Sequence, residues 1–124
     1  MRRVIVSLLA AALAAGCITP SIPIPPPDPT EMMFHFTTVD MVSHATFTYP
    51  PDTNYCGGVS YLFDRELGSG VIHTVNSDCS VGPLEMAASP GDNVDVTIET
   101  NAQTASTCVV LQEGAQSPNV ACAP

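Results

Sequence analysis

The sequence predicts an all-β fold: a small antiparallel β-sandwich of immunoglobulin-like size, with about seven or eight strands and two disulfides. Three observations predict it. From Met32 onward no stretch sustains a 3.6-residue apolar repeat. Several stretches instead alternate apolar and polar residues, bounded by Gly, Pro, Asn and Asp. Four cysteines, Cys56, Cys79, Cys108 and Cys122, fall in the same region and form an even set.

The first two strands are expected over 32–38 and 41–49. A two-residue turn at Val39 and Asp40 would put Phe34, Phe36, Ala45 and Phe47 on the core face, with His35 directly opposite His44 on the outer face. Further strands are expected over 59–64, 71–76 and 84–88. The clearest strand is 93–100, after the turn Ser89-Pro90-Gly91-Asp92. There Val94, Val96 and Ile98 point one way, and Asp95, Thr97 and Glu99 the other, so one face is buried and one is wet. The last two strands are expected over 106–111 and 119–123.

Hairpin geometry suggests which cysteines pair. Cys108 and Cys122 are symmetric about Ala115, and antiparallel pairing there sets Val110 opposite Val120 on the same face as both sulfurs. Cys56 and Cys79 flank a turn over 65–70. The apolar pattern prefers Tyr61 opposite His73 and Phe63 opposite Val71, a register that leaves Asp78 across from Cys56, so a bulge must absorb one residue. The expected bridges are therefore Cys56 with Cys79 and Cys108 with Cys122. A bridge closing a loop of about fifteen residues contributes about 3 kcal/mol in the chain-entropy model, a large share of what so small a core supplies.

The N-terminal 30 residues are of a different kind. Arg2 and Arg3 precede an apolar run over 4–15, interrupted only by Ser7, which at twelve residues is too short to cross a bilayer. The run ends in Leu13-Ala14-Ala15-Gly16-Cys17. These residues resemble the lipobox of a bacterial lipoprotein precursor, in which small residues precede a cysteine that is lipidated and becomes the mature N-terminus. That resemblance covers the first seventeen residues. It implies lipidation at Cys17, and Ile18 after the cysteine implies sorting to the outer membrane. Ordinary cleavage after Ala14 or Ala15 is the competing reading of the same leader. Cysteine arithmetic bears on the choice: with Cys17 lipidated, the other four cysteines can all pair. Residues 20–29, PSIPIPPPDP, favour polyproline II and read as a semi-rigid spacer of roughly 30 Å. The expected organisation is a signal peptide over 1–16, a lipid-anchored proline-rich tether over 17–30 and the sandwich over 31–124.

Charge excludes several functions. Arg2, Arg3 and Arg65 are the only basic residues apart from histidine, and lysine is absent. After cleavage one arginine faces twelve carboxylates, a net charge of −11. Phosphate backbones and anionic headgroups need Lys and Arg, so nucleic-acid binding and docking on anionic lipid are disfavoured. Lysine-dependent chemistry is impossible. Nor is there a G-x-S-x-G, an H-E-x-x-H or a Gly-rich phosphate loop. No enzyme and no cofactor are expected.

Three groups of residues are candidate sites. Met32, Met33, His35, Met41 and His44 crowd thirteen residues; imidazole suits zinc and copper, and thioethers favour Cu(I), so His35, His44 and Met33 are candidate metal ligands. The competing interpretation is solvent-facing histidines with methionines filling gaps. Asp95 and Glu99 stand about 13 Å apart on one strand face, too far to share an ion, and Asp92 reads as a turn residue, so a cation there would need ligands from other loops. The loop after the second strand carries Tyr49, Asp52, Asn54 and Tyr55 beside Cys56. It reads either as a rigid connection with its rings packed over the sandwich edge or as a recognition surface for a glycan or peptide.

The expected function is that of a lipid-anchored cell-envelope lipoprotein whose acidic sandwich binds a protein or glycan partner, preferably a basic one, or serves as a structural component. The alternative is a periplasmic copper- or zinc-binding protein using His35 and His44.

Overall fold

The computed structural model describes residues 22–101, 103–118 and Cys122. Two antiparallel four-stranded sheets face each other. Strands are β1 (Met33–Val39), β2 (Val42–Tyr49), β3 (Val59–Asp64), β4 (Ser69–Thr74), β5 (Val81–Ala87), β6 (Asn93–Thr100), β7 (Gln103–Val110) and β8 (Gly114–Ala115). One sheet runs β5-β2-β1-β8 and the other β4-β3-β6-β7. Short 3-10 turns lie at Pro29–Glu31 and Thr53–Tyr55. The all-β sandwich expected from the alternation is what the chain forms.

The core follows from strand parity. Phe34, Ala45 and Phe47 of the β1–β2 hairpin meet Val94, Val96 and Ile98 of β6, all at most 1% exposed. Phe34 and Phe47 stack tilted with centroids 4.9 Å apart. The expected faces of β1, β2 and β6 are thus confirmed.

The β1–β2 register is corrected. Asp40 and Met41, with φ of 51° and 66°, form the turn, so Val39 pairs with Val42, and His35 lies opposite Thr46 while His44 lies opposite Thr37. Asp40 tolerates the left-handed region that such a two-residue turn demands better than Val39 would, which moves the turn one residue onward.

The β3–β4 register is also corrected. Tyr61 pairs with Ile72 and Phe63 with Gly70, not with His73 and Val71. On β3 the buried residues are Ser60, Leu62 and Asp64, while Phe63 and, on β4, Ile72 are 44% and 69% exposed. The inward polar groups are held by local bonds. Ser60 Oγ donates to the His73 carbonyl at 2.9 Å, and Asp64 Oδ1 accepts from the Glu66 and Leu67 amides at 2.9 and 3.0 Å.

β5 begins three residues earlier than expected and runs through Gly82-Pro83. It is an edge strand, where a missing N–H is tolerated, and its pairing with β2 shifts between Phe47 and Tyr49. Only glycine fits at 82: φ is 86°, and a Cβ would lie 2.2 Å from the Phe47 carbonyl oxygen.

Both expected disulfides are present, with Cα–Cα distances of 4.6 Å for Cys56–Cys79 and 5.5 Å for Cys108–Cys122. The hairpin expected about Ala115 is not. Gly114 and Ala115 leave the β7 sheet and pair with Phe34 and Met33 of β1, closing the edge of the opposite sheet. Of the strand expected over 119–123, only Cys122 is among the described residues, and it lies outside any strand.

The proline-rich segment is docked over its second half. The Ile24 amide donates to Gln103 Oε1 at 2.9 Å, the Tyr55 hydroxyl to the Pro25 carbonyl at 2.7 Å, and the Thr107 hydroxyl to the Pro27 carbonyl at 2.6 Å. Pro27 is fully buried, and Ile24 packs against the core. A polyproline segment has carbonyls that no helix or sheet satisfies, so side-chain hydroxyls along its path can fasten it.

Candidate functional site

Four places bring chemistry-bearing side chains together. The first is the outward face of β1 and β2. Alternation turns Met33, His35, Thr46 and Thr48 away from the core, and β8 brings Glu113 beside them. With Phe34 and Gly114 they line an open hollow of about 290 Å³. His35 Nδ1 lies 2.6 Å from Glu113 Oε1, and the Phe36 amide donates to Glu113 Oε2 at 2.9 Å. Those two contacts, the Phe36 amide foremost, hold the Glu113 carboxyl below its ordinary range. The pair orients the ring and leaves Nε2 for solvent or a ligand.

His44 is on the same face but two positions along the ladder. Its Nδ1 is 3.6 Å from Glu85 Oε1 on the neighbouring β5. The two imidazoles thus stand diagonally rather than opposite, each beside its own carboxylate. Met33 shares the hollow with His35.

The second place is the loop joining β2 to β3. Asp52 caps the short 3-10 turn by accepting from the Asn54 amide and side chain, both at 2.9 Å. Tyr49 and Tyr55 are 4% and 1% exposed, edge to face at 5.9 Å. The Tyr49 oxygen accepts from the Asp28 amide at 3.1 Å. Burial, then neighbouring Tyr49 and Asp52, pushes the Tyr55 hydroxyl far above its ordinary value. The rigid-connection reading of this loop therefore describes it: both rings serve the core and clamp the proline-rich segment. Of the other two residues of the loop, Asn54 is exposed and Asp52 half-buried.

The third place is the outward face of β3 and β4, where Tyr61, Phe63 and Ile72 form an apolar strip. Asp95 and Thr97 of β6 stand beside it, opposite Phe63 and Tyr61. Arg65 places Nε and a terminal nitrogen on the two Asp95 oxygens, both at 2.9 Å. This bidentate fork raises the already high arginine pKa and orients the guanidinium along the β3–β6 face.

The fourth place is where the β3–β4 turn meets the β5–β6 turn. Asp64, Glu66 and Asp92 each bring a carboxylate oxygen within 4.8 Å of the others, the group of potential metal ligands found among the described residues. Asp64 is wholly buried, and its Oδ2 has no hydrogen-bond partner. Burial, and then Asp92, pushes the Asp64 carboxyl up to about 6. The sequence reading singled out Asp92 but missed Asp64 and Glu66. Their only local signal is Asp-x-Glu at a strand end; the partnership with Asp92 exists because β3 pairs with β6, setting Asp64 opposite Val94.

Searches of protein-family models, curated proteins and solved structures find no match to this chain. Cys17 lies outside the described residues.

Proposed function

We propose that this chain is a lipid-anchored cell-envelope lipoprotein, held at the outer membrane, whose acidic β-sandwich acts as a binding or structural module. One observation carries the reading: the leader ends in Leu13-Ala14-Ala15-Gly16-Cys17, and the two bridges use every cysteine except Cys17. An exported domain with one odd cysteine placed at a lipobox is what lipidation accounts for. With Ile24 fastened to the sandwich, six residues lie between it and Cys17. At about 3.1 Å per residue the domain stands roughly 20 Å from the lipid, nearer than a free ten-residue spacer would hold it. Its net charge favours a basic protein or glycan partner through steering.

The test is intact mass of the protein taken from its own membranes, with and without reductant. The expected chain begins at Cys17, carries an acyl increment and gains four protons on reduction. A chain beginning at Ala15 or Gly16 without lipid overturns the anchor.

A second reading, periplasmic zinc or copper binding, is favoured by the shared outward face of His35, His44 and Met33. Titration of the oxidised protein with Zn(II) and Cu(I) decides it. No binding tighter than about micromolar removes it.

A further inference from the structure

We infer that Asp64, Glu66 and Asp92 form a calcium-binding site at the junction of the β3–β4 and β5–β6 turns. Three elements of the fold build it. Asp64 ends β3, Glu66 lies in the turn that follows, and Asp92 lies in the turn before β6. The two turns are laced together: the Arg65 amide donates to the Asn93 carbonyl at 2.9 Å, and Asn93 donates its amide and side chain to the two Glu66 oxygens at 2.7 and 2.6 Å. Asp92 Oδ2 accepts from the Ser89 amide at 3.0 Å. Each bonded carboxylate oxygen keeps a second lone pair for a cation.

The second observation is Asp64 Oδ2 itself. It sits in a fully buried side chain and receives no donor, and the side chain that the Asp64 carboxyl faces is that of Asp92, itself a carboxylate. Burying an acceptor without a partner is costly, and such atoms in folded proteins call for an explanation. A cation bridging the three carboxylates supplies one.

The donor set selects the ion. All three ligands are hard oxygens, which disfavours Cu(I) and favours Ca²⁺ or Mg²⁺. Two of them come from turns and one from a strand end, a spread that suits the flexible, high-coordination shell of calcium better than the strict octahedron of magnesium. Glu66 is exposed and Asp92 half-buried, so waters complete the shell from the solvent side. With three carboxylates and an open side, the affinity belongs to the extracellular class, about 0.1–1 mM.

Calorimetric titration of the oxidised mature chain with calcium chloride, and separately magnesium chloride, in chelator-treated buffer tests this, with thermal unfolding alongside. One calcium equivalent is expected, with weaker magnesium binding and a rise in Tm that follows calcium concentration. Asp92→Asn and Glu66→Gln keep their acceptor oxygens but lose charge, and each should weaken calcium by about tenfold or more. Glu99→Gln, on the outer face of β6, should leave it unchanged. Near-ultraviolet circular dichroism establishes that each variant folds. Absence of heat and of any Tm change at about 10 mM calcium overturns the site and leaves a proton shared between Asp64 and Asp92 as the answer to the orphaned oxygen. Equal binding by the folded Asp92→Asn and Glu66→Gln variants overturns it too.

Discussion

In the β1–β2 hairpin the phenylalanines turn inward, whereas in the β3–β4 hairpin Phe63 and Ile72 turn outward and Ser60 and Asp64 turn inward. Both are antiparallel hairpins with short turns, so the difference lies in what each strand offers its two faces. On β1 and β2 the aromatic residues occupy one parity, and a single face satisfies the hydrophobic effect. On β3, Val59, Tyr61 and Phe63 occupy one parity and Leu62 the other, flanked by Ser60 and Asp64. Counting apolar residues favours the wrong face. Packing Leu62 beneath the sheet, with the His73 carbonyl and the Glu66 and Leu67 amides to satisfy its polar neighbours, is what the fold adopts. Buried polar groups with good local partners are thus compatible with a core, and three apolar side chains are left on the surface.

Four tests probe that contrast. The largest effect belongs to Phe47→Ala, which empties a fully buried site beside Phe34 and should cost about 3–5 kcal/mol, against less than about 1 kcal/mol for Phe63→Ala. Urea denaturation of the oxidised protein measures both. Equal losses would mean that the outward strip of β3 is covered in solution.

The inward carboxylate of β3 comes next. Asp64→Ala leaves the Glu66 and Leu67 amides without their acceptor and should destabilise by about 1–3 kcal/mol. Asp64→Asn keeps an acceptor while removing a buried charge, so with chelator present it should be at least as stable as the parent at neutral pH. Denaturation midpoints of the pair separate the hydrogen bond from the charge.

A smaller gain is expected at the β1–β2 turn. Met41 is 96% exposed with φ of 66°, a conformation glycine adopts without strain. Met41→Gly should raise stability by about 0.5–1 kcal/mol and Tm accordingly, sharpening the hairpin whose core face is unambiguous.

The smallest effect concerns Glu113, whose bonds to Phe36 and His35 join β8 to β1. Its folded pKa is lowered, so its contribution is present above the ordinary carboxylate value and is lost as pH falls through the folded one. The group is exposed, and the loss should be local. Protection of the Phe36 amide against hydrogen exchange, corrected for intrinsic rate, should fall on acidification, and Glu113→Ala should abolish that dependence.

Much of the fold was legible in the residues. Alternation in Val94, Val96 and Ile98 and in Phe34, Ala45 and Phe47 encodes strands that bury one face, and four of the strands, β1, β2, β3 and β6, start at or within one residue of their expected bounds. The cysteine pairs were legible too, although the reason offered for Cys108–Cys122 does not hold, because Ala115 crosses to the other sheet. Candidate sites were less legible. His35, His44 and Met33 share a face as alternation requires, but their register depends on a turn shifted by one residue.

Period and spacing act over a few residues, so strand identity, the core faces of β1, β2 and β6, and the all-β class follow from the chain alone. Tertiary structure decided the face of β3, the crossing of β8, the fastening of Ile24 and Pro27 and the meeting of Asp64 and Glu66 with Asp92. Each of these joins residues distant in sequence, and which pair meets is chosen by how the two sheets fill a shared interior and where buried polar atoms find partners, a balance no local pattern encodes.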